Sequence, residues 1–154
     1  MSTAEARLQT LGIELPPASK PVANYVSGVV TGNLLYLSGH GPRTAEGELQ
    51  CGKVGADVTP EEAYVHARLV GLALLATARA ALGSLDRVRR VIKLFGMVNA
   101  TPQFTGHPSV INGCSDLLVD VFGDAGPHAR SAVGMAGLPN NISVEIEAIF
   151  EIEP

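Results

Sequence analysis

The chain has 154 residues, 46% of them hydrophobic and 17% charged, with a formal net charge of −4. That length predicts one domain with a full apolar core, and an acidic chain with 5% aromatic residues and no tryptophan lacks the platforms on which nucleic acids stack. The apolar content exceeds what one small domain needs and points to a subunit interface.

Residues 3–11 (TAEARLQTL) place Ala4, Leu8 and Leu11 at helical spacing and predict a short helix. Gly12 and the three prolines of 12-GIELPPASKP-21 then predict an extended linker. Residues 1–20 are therefore read as helix and linker, ahead of a domain over 21–154. The early acids and the lack of a long apolar run do not fit a signal peptide.

In 22-VANYVSGVVTGNLLYLSGHGP-42, two β-rich runs flank 31-TGN-33. The Gly-Asn pair tolerates the positive φ of a tight hairpin turn. The second run reads as a buried strand that ends in 38-SGHGP-42. Glycines there would let backbone N–H groups approach an anion, but the motif is not GxGxxG and no Lys follows, so a nucleotide-phosphate loop is not expected. Small turns and one short strand are expected over 43–57.

The next helix has the clearest boundaries. Thr59 with Glu62 forms a capping box, Pro60 suits the first helical position, and Gly83 ends the run. So little of it is polar that it must pack on a broad sheet. Arg68 and Arg79 interrupt its apolar part, and no stretch is read as a membrane span. Residues 86–100 predict a strand whose Arg87, Arg89, Arg90 and Lys93 read as a solvated edge. Residues 107–123 predict a second helix with Val110, Leu117, Leu118, Val121 and Phe122 on its apolar face. Strands over 130–138 and 142–153 follow, joined by 139-PNN-141 and expected to be neighbours. The order predicts an α+β fold with two helices on one face of a mixed sheet. The other face is left for a second subunit to cover.

Cys51 and Cys114 form neither a CxxC nor a zinc pattern and read as reduced cysteines of a cytoplasmic protein. His66 reads as a packed helix residue. His107 and His128 read as loop residues without partners at metal spacing, so no metal site is expected. His40 titrates near neutrality and sits in the glycine loop, as an acid/base group or a plain loop residue. Arg130 opens a strand after a Gly-Pro loop, and its guanidinium offers a bidentate fork to a carboxylate. Ser131 beside it can donate a hydrogen bond. Glu145 and Glu147 share a strand face, and burial would raise a carboxyl pKa toward acid/base use. The pattern alone also fits an exposed strand-start Arg and a solvent-facing glutamate row.

Four segments together, 22–42, 84-SLDRVRRVIKLFGMVN-99, 128-HARSAVGMAGLP-139 and 144-VEIEAIF-150, resemble the Rid family. These are the reactive intermediate deaminases, also called YjgF-like or endoribonuclease L-PSP. The leading helix and 12-GIELPP-17 resemble a longer subgroup. The resemblance implies a chorismate-mutase-like fold and a homotrimer with its sites in clefts between subunits. It implies hydrolysis of enamine/imine intermediates such as 2-aminoacrylate to a keto acid and ammonia, with no metal or organic cofactor. Arg130 matches the Arg that grips the substrate carboxylate, and Glu145 matches the Glu that orients or activates water. Tyr25 matches a pocket-lining Tyr, Ser38 and Gly39 match the Ser-Gly loop, and Asn112 matches an Asn on the second helix. Ser131 and Ala132 follow the Arg as further substrate-binding positions. His40 stands where the archetype has Gln, and Ala132 where Cys is frequent. A non-catalytic trimer that binds small carboxylates would use the same cleft. The acidic charge and the missing basic, aromatic groove speak against a ribonuclease.

Overall fold

The computed structural model describes residues 2–21 and 23–154. Helix α1 (Ala4–Leu11) starts at Thr3, whose side chain accepts from the Ala6 N–H, and ends at Gly12 in the left-handed region. Strands β1 (Gly28–Thr31) and β2 (Leu34–His40) form an antiparallel hairpin about Gly32-Asn33. Helix α2 (Pro60–Leu82) carries the complete capping box: Glu62 N–H donates to Thr59 Oγ1 at 3.1 Å, and Thr59 N–H to Glu62 Oε2 at 3.0 Å. Strand β3 (Val88–Asn99), helix α3 (His107–Phe122), strand β4 (Ala129–Met135) and strand β5 (Val144–Ile152) complete the fold.

The sheet order is β1-β2-β5-β3-β4, with β3 and β4 parallel and the other pairs antiparallel. This corrects the expectation that β4 and β5 are neighbours, since β3 runs between them. A strand–helix–strand crossover through α3 makes β4 parallel to β3 and leaves it at the edge, while β5 fills the other side of β3. The cations expected on a solvated edge do lie at one. Arg87 ends a 3-10 turn just before β3 and donates to the carbonyls of Leu82 and Glu153. Arg89 and Arg90 are exposed on the first half of β3, which pairs with β5 alone because pairing with β4 begins at Lys93. No short strand forms over 43–57, where isolated bridges such as Arg43–Leu49 and Cys51–Ile142 stand instead. Positive φ at Gly47, Gly52 and Gly55 keeps that segment turning.

Helices α2 and α3 pack side by side on one face of the mixed sheet, and α1 lies against α3. The helix pair is close because position 113 is glycine; any Cβ there would run into the Tyr64 carbonyl of α2. At 23 residues, α2 is long and apolar enough to cross a membrane by length and composition, its two arginines notwithstanding. In the fold it is the core helix, with Ala67, Val70, Leu74 and Leu75 buried. Leu8 of α1 and Phe150 of β5 join the same core, and Phe150 meets Phe122 edge-on at 5.8 Å. Among the described residues no helix covers the sheet's second face. Tyr36 and Val29 pair on it and remain exposed, as does Val133.

Candidate functional site

The site begins with a bulge. Leu37 pairs with Ala148 but His40 pairs with Ile146, so β2 spends an extra residue over Ser38–Gly39. A bulge re-aims the side chains that follow it. Here it turns His40 into the helix layer, on the same side as Leu37. His40 is buried, with Nδ1 against the Ser38 carbonyl and Nε2 2.8 Å from Thr77 Oγ1 on α2. A carbonyl only accepts, so Nδ1 carries the proton and Nε2 accepts from the Thr77 hydroxyl. Burial holds the His40 pKa below its ordinary value, with the Ser38 bond opposing. Both ring nitrogens are thus engaged inside the chain.

Gly39 makes room for the key carboxyl. A Cβ there would lie 2.6 Å from Glu145 Oε2 and 3.0 Å from its Cδ. Glu145 therefore rests directly on the Gly39 backbone. Burial raises its pKa above the ordinary carboxyl value, and the neighbouring Glu147 adds to the rise. Around it opens a hollow of about 500 Å³ lined by Tyr25, Ser38, Gly39, His40, Asn140 and Ile142. The Ser38 hydroxyl donates to the Val26 carbonyl at 2.6 Å, and its N–H to Ser27 O at 2.9 Å. Those bonds hold the Tyr25 segment over the hollow. Lys20 and Arg43 also reach its rim, and Arg43 Nη1 donates to Gly47 O at 2.8 Å. Sequence reasoning passed over both cations, because linker and turn residues carry no local sign of a shared cavity.

Arg130 belongs to a second cluster. Its Nη1 donates to Asn112 Oδ1 at 2.7 Å and to Ser115 Oγ at 3.1 Å, both on α3. It stands opposite Leu94, which is buried under the helices, whereas Glu145 stands opposite Met97. Strand residues three apart point to opposite faces. Arg130 thus lies on the helix side of the edge strand, and Glu145 on the open side. Ser131 pairs with Phe95, as does Glu147, so its side chain is on the open face and points away from Arg130. Ala132 returns to the helix side and packs on the core. Of the expected residues, one chain gathers Tyr25, Ser38, Gly39 and His40 about Glu145, and Asn112 about Arg130. It does not join the two groups. Among the described residues, no three of His, Cys, Asp and Glu are gathered to hold a metal ion.

A two-layer sheet with its helices on one side and a glutamate on a glycine bulge defines a chorismate-mutase-like α+β protein. The model of the family described as "YjgF/chorismate mutase-like, putative endoribonuclease" matches residues 5–150, and the chain belongs to this Rid/YjgF family. Protein TCP17 of Trypanosoma cruzi is 47% identical over 148 residues, covering 96% of this chain and 92% of that one. The 2-iminobutanoate/2-iminopropanoate deaminase of Dermatophagoides farinae is 29% identical over 142 residues, covering 92% and 95%. The crystal structure of Atu1372 from Agrobacterium tumefaciens superposes with a TM-score of 0.89 at 47% identity, over 99% of this chain and 93% of that one.

Proposed function

We propose that this protein is a cytoplasmic imine deaminase that hydrolyses 2-imino acids of the 2-aminoacrylate type to 2-keto acids and ammonia. The observation that carries the reading is Glu145, half-buried on Gly39 in an open hollow, with its pKa raised. The likeness to the mite 2-iminobutanoate/2-iminopropanoate deaminase supports the same chemistry. Because Arg130 and Glu145 of one chain face opposite ways, the site is read as shared between chains. Arg130 of one copy approaches the Glu145 hollow of the next, in a homotrimer that also covers the open sheet face.

Arg130 binds the substrate carboxylate with the guanidinium edge not taken up by Asn112 and Ser115. This fixes the imine carbon beside Glu145, and orientation supplies a large part of such a rate enhancement. Water attacks the protonated imine carbon, and the Glu145 carboxylate takes the proton that water loses. Returning that proton to nitrogen makes ammonia the leaving group. The C–N bond then breaks as the carbonyl forms, and the hydroxyl proton passes out through Glu145. A raised pKa brings the base nearer neutrality. Carbon keeps its oxidation level throughout, so the reaction calls on no redox group.

The test is to generate 2-imino acids in situ with an amino-acid oxidase and follow their decay. Faster decay with the wild type but not with Arg130→Ala is the expected result. Saturable 2-keto acid binding without faster decay would replace the deaminase with a carboxylate-binding trimer.

A further inference from the structure

The segment 123-GDAGPH-128 leads from α3 into β4, whose second residue is Arg130, and lies flush on α3. A Cβ at Gly126 would come within 2.6 Å of Val119 Cα and 2.8 Å of the Leu118 carbonyl, so only glycine fits there. The Gly126 N–H donates to Gly123 O at 2.9 Å, which fixes the peptide further. His128 Nδ1 lies 2.7 Å from the Gly126 carbonyl and its Nε2 lies 2.9 Å from Ser115 Oγ.

These contacts have one consistent polarity. The Gly126 carbonyl only accepts, so Nδ1 carries the proton of the neutral ring. Nε2 is then a bare lone pair, and the single Ser115 hydroxyl proton points to it. The oxygen of Ser115 is left free to accept from Arg130 Nη1 at 3.1 Å, beside Asn112 Oδ1 at 2.7 Å. Without His128, the Ser115 hydroxyl could rotate its proton toward the guanidinium. Among the described residues nothing accepts from Nε or Nη2 of Arg130.

The surroundings keep the ring neutral. Burial holds the His128 pKa below its ordinary value and the Arg130 charge acts the same way, against the Gly126 bond. Arg90 of β3 lines the same shallow hollow as His128. Cys114, next to Ser115 on α3, is a buried thiol with its pKa pushed up to about 12. No carboxylate is bonded to His128 among the described residues.

We propose that His128 and Ser115 are positioning residues that aim the Arg130 guanidinium at the substrate carboxylate. The inference rests on the carboxylate-gripping role of Arg130. It assigns a purpose to the Gly126-Pro127-His128 turn, which neither the hollow nor the sheet explains.

The experiment measures pyruvate binding by calorimetry and KM in the imine assay, with melting temperature as the folding control. Ser115→Ala and His128→Phe should each weaken pyruvate binding and raise KM roughly fivefold with kcat little changed, the scale of one ordinary hydrogen bond. The double variant should be no worse than either single one, because both act through one bond, and Ser115→Thr should restore binding. In an Arg130→Ala background, Ser115→Ala should have no further effect. Folded single variants that bind within about twofold of wild type, or penalties that multiply, would overturn the relay. If Arg130→Ala abolishes binding while Ser115→Ala binds like wild type, the relay alone falls. If Arg130→Ala binds pyruvate like wild type, the relay falls together with the deaminase reading.

Discussion

Arg130 and Glu145 lie on opposite faces of the same sheet, with β3 between their strands and their partners Leu94 and Met97 three residues apart. Neither side chain can reach round the sheet to meet the other on one small molecule. A site that uses both residues would therefore need two chains, and the proposed sharing can be tested by mixing defects. Arg130→Ala and Glu145→Gln should each be inactive alone. Co-expressed in equal amounts, they should recover about one quarter of wild-type activity, since one interface in four then joins an intact Arg130 to an intact Glu145 in a cyclic assembly. No recovery in mixed oligomers would show that Arg130 of one chain and Glu145 of another do not form one site.

Gly39 offers a sharper probe of Glu145 than substitution of the acid itself. In Gly39→Ala the new methyl would occupy the space of Glu145 Oε2, the far end of a flexible side chain. The carboxyl can swing aside, so the stability loss should stay within about 1 kcal/mol. The base would no longer face the imine carbon, and kcat should fall about a hundredfold, as for other angstrom-scale misplacements. Melting curves and imine decay on the same sample separate the two effects. A normal kcat in Gly39→Ala would remove Glu145 from the chemistry.

The raised pKa of Glu145 has two consequences of opposite sign. Activity needs the carboxylate, so kcat/KM should fall with decreasing pH through an apparent pKa above that of an ordinary glutamate. Glu147→Gln removes the like charge beside it and should move that limb to lower pH. For folding, a raised native pKa means that the charged form is disfavoured in the native state. The carboxyl therefore contributes most to stability at low pH, and that contribution is lost as pH rises from the unfolded pKa through the native one. Glu145→Gln should accordingly melt higher than wild type at neutral pH, with no difference near pH 3, below the ordinary carboxyl range. Equal melting temperatures at both pH values would contradict the burial assigned to Glu145.

What could be read in advance was set by local rules. Thr59, Pro60, Glu62 and Gly83 delimit α2 because caps and stops act within a turn of the residues that make them. The Gly32-Asn33 turn marks the first hairpin in the same way. Strand order is a long-range property, and nothing in 139-PNN-141 shows that β3 comes between β4 and β5. The bulge that buries His40 arises from pairing with a strand about a hundred residues away, so the ring's direction was hidden although its position was not. Lys20, Arg43, Ser115 and His128 meet the site only through tertiary folding.

Gly113 ties the packing of the helices to the Arg130 cluster. A methyl at this position would collide with the Tyr64 carbonyl and approach the Arg68 N–H, both backbone groups of α2 that cannot rotate away. The helices must then separate, and overpacking of this kind costs roughly 1–3 kcal/mol. Asn112 and Ser115 flank this position on α3, so separation would also move both acceptors away from Arg130 Nη1. Gly113→Ala should therefore lower the melting temperature and weaken 2-keto acid binding together, whereas Gly39→Ala should spare both and lower only turnover. Calorimetry and imine decay on these two variants distinguish a carboxylate held from the helix layer from a base held by the bulge. A stable Gly113→Ala protein with unchanged keto-acid affinity would show that the Arg130 cluster does not depend on the spacing of α2 and α3.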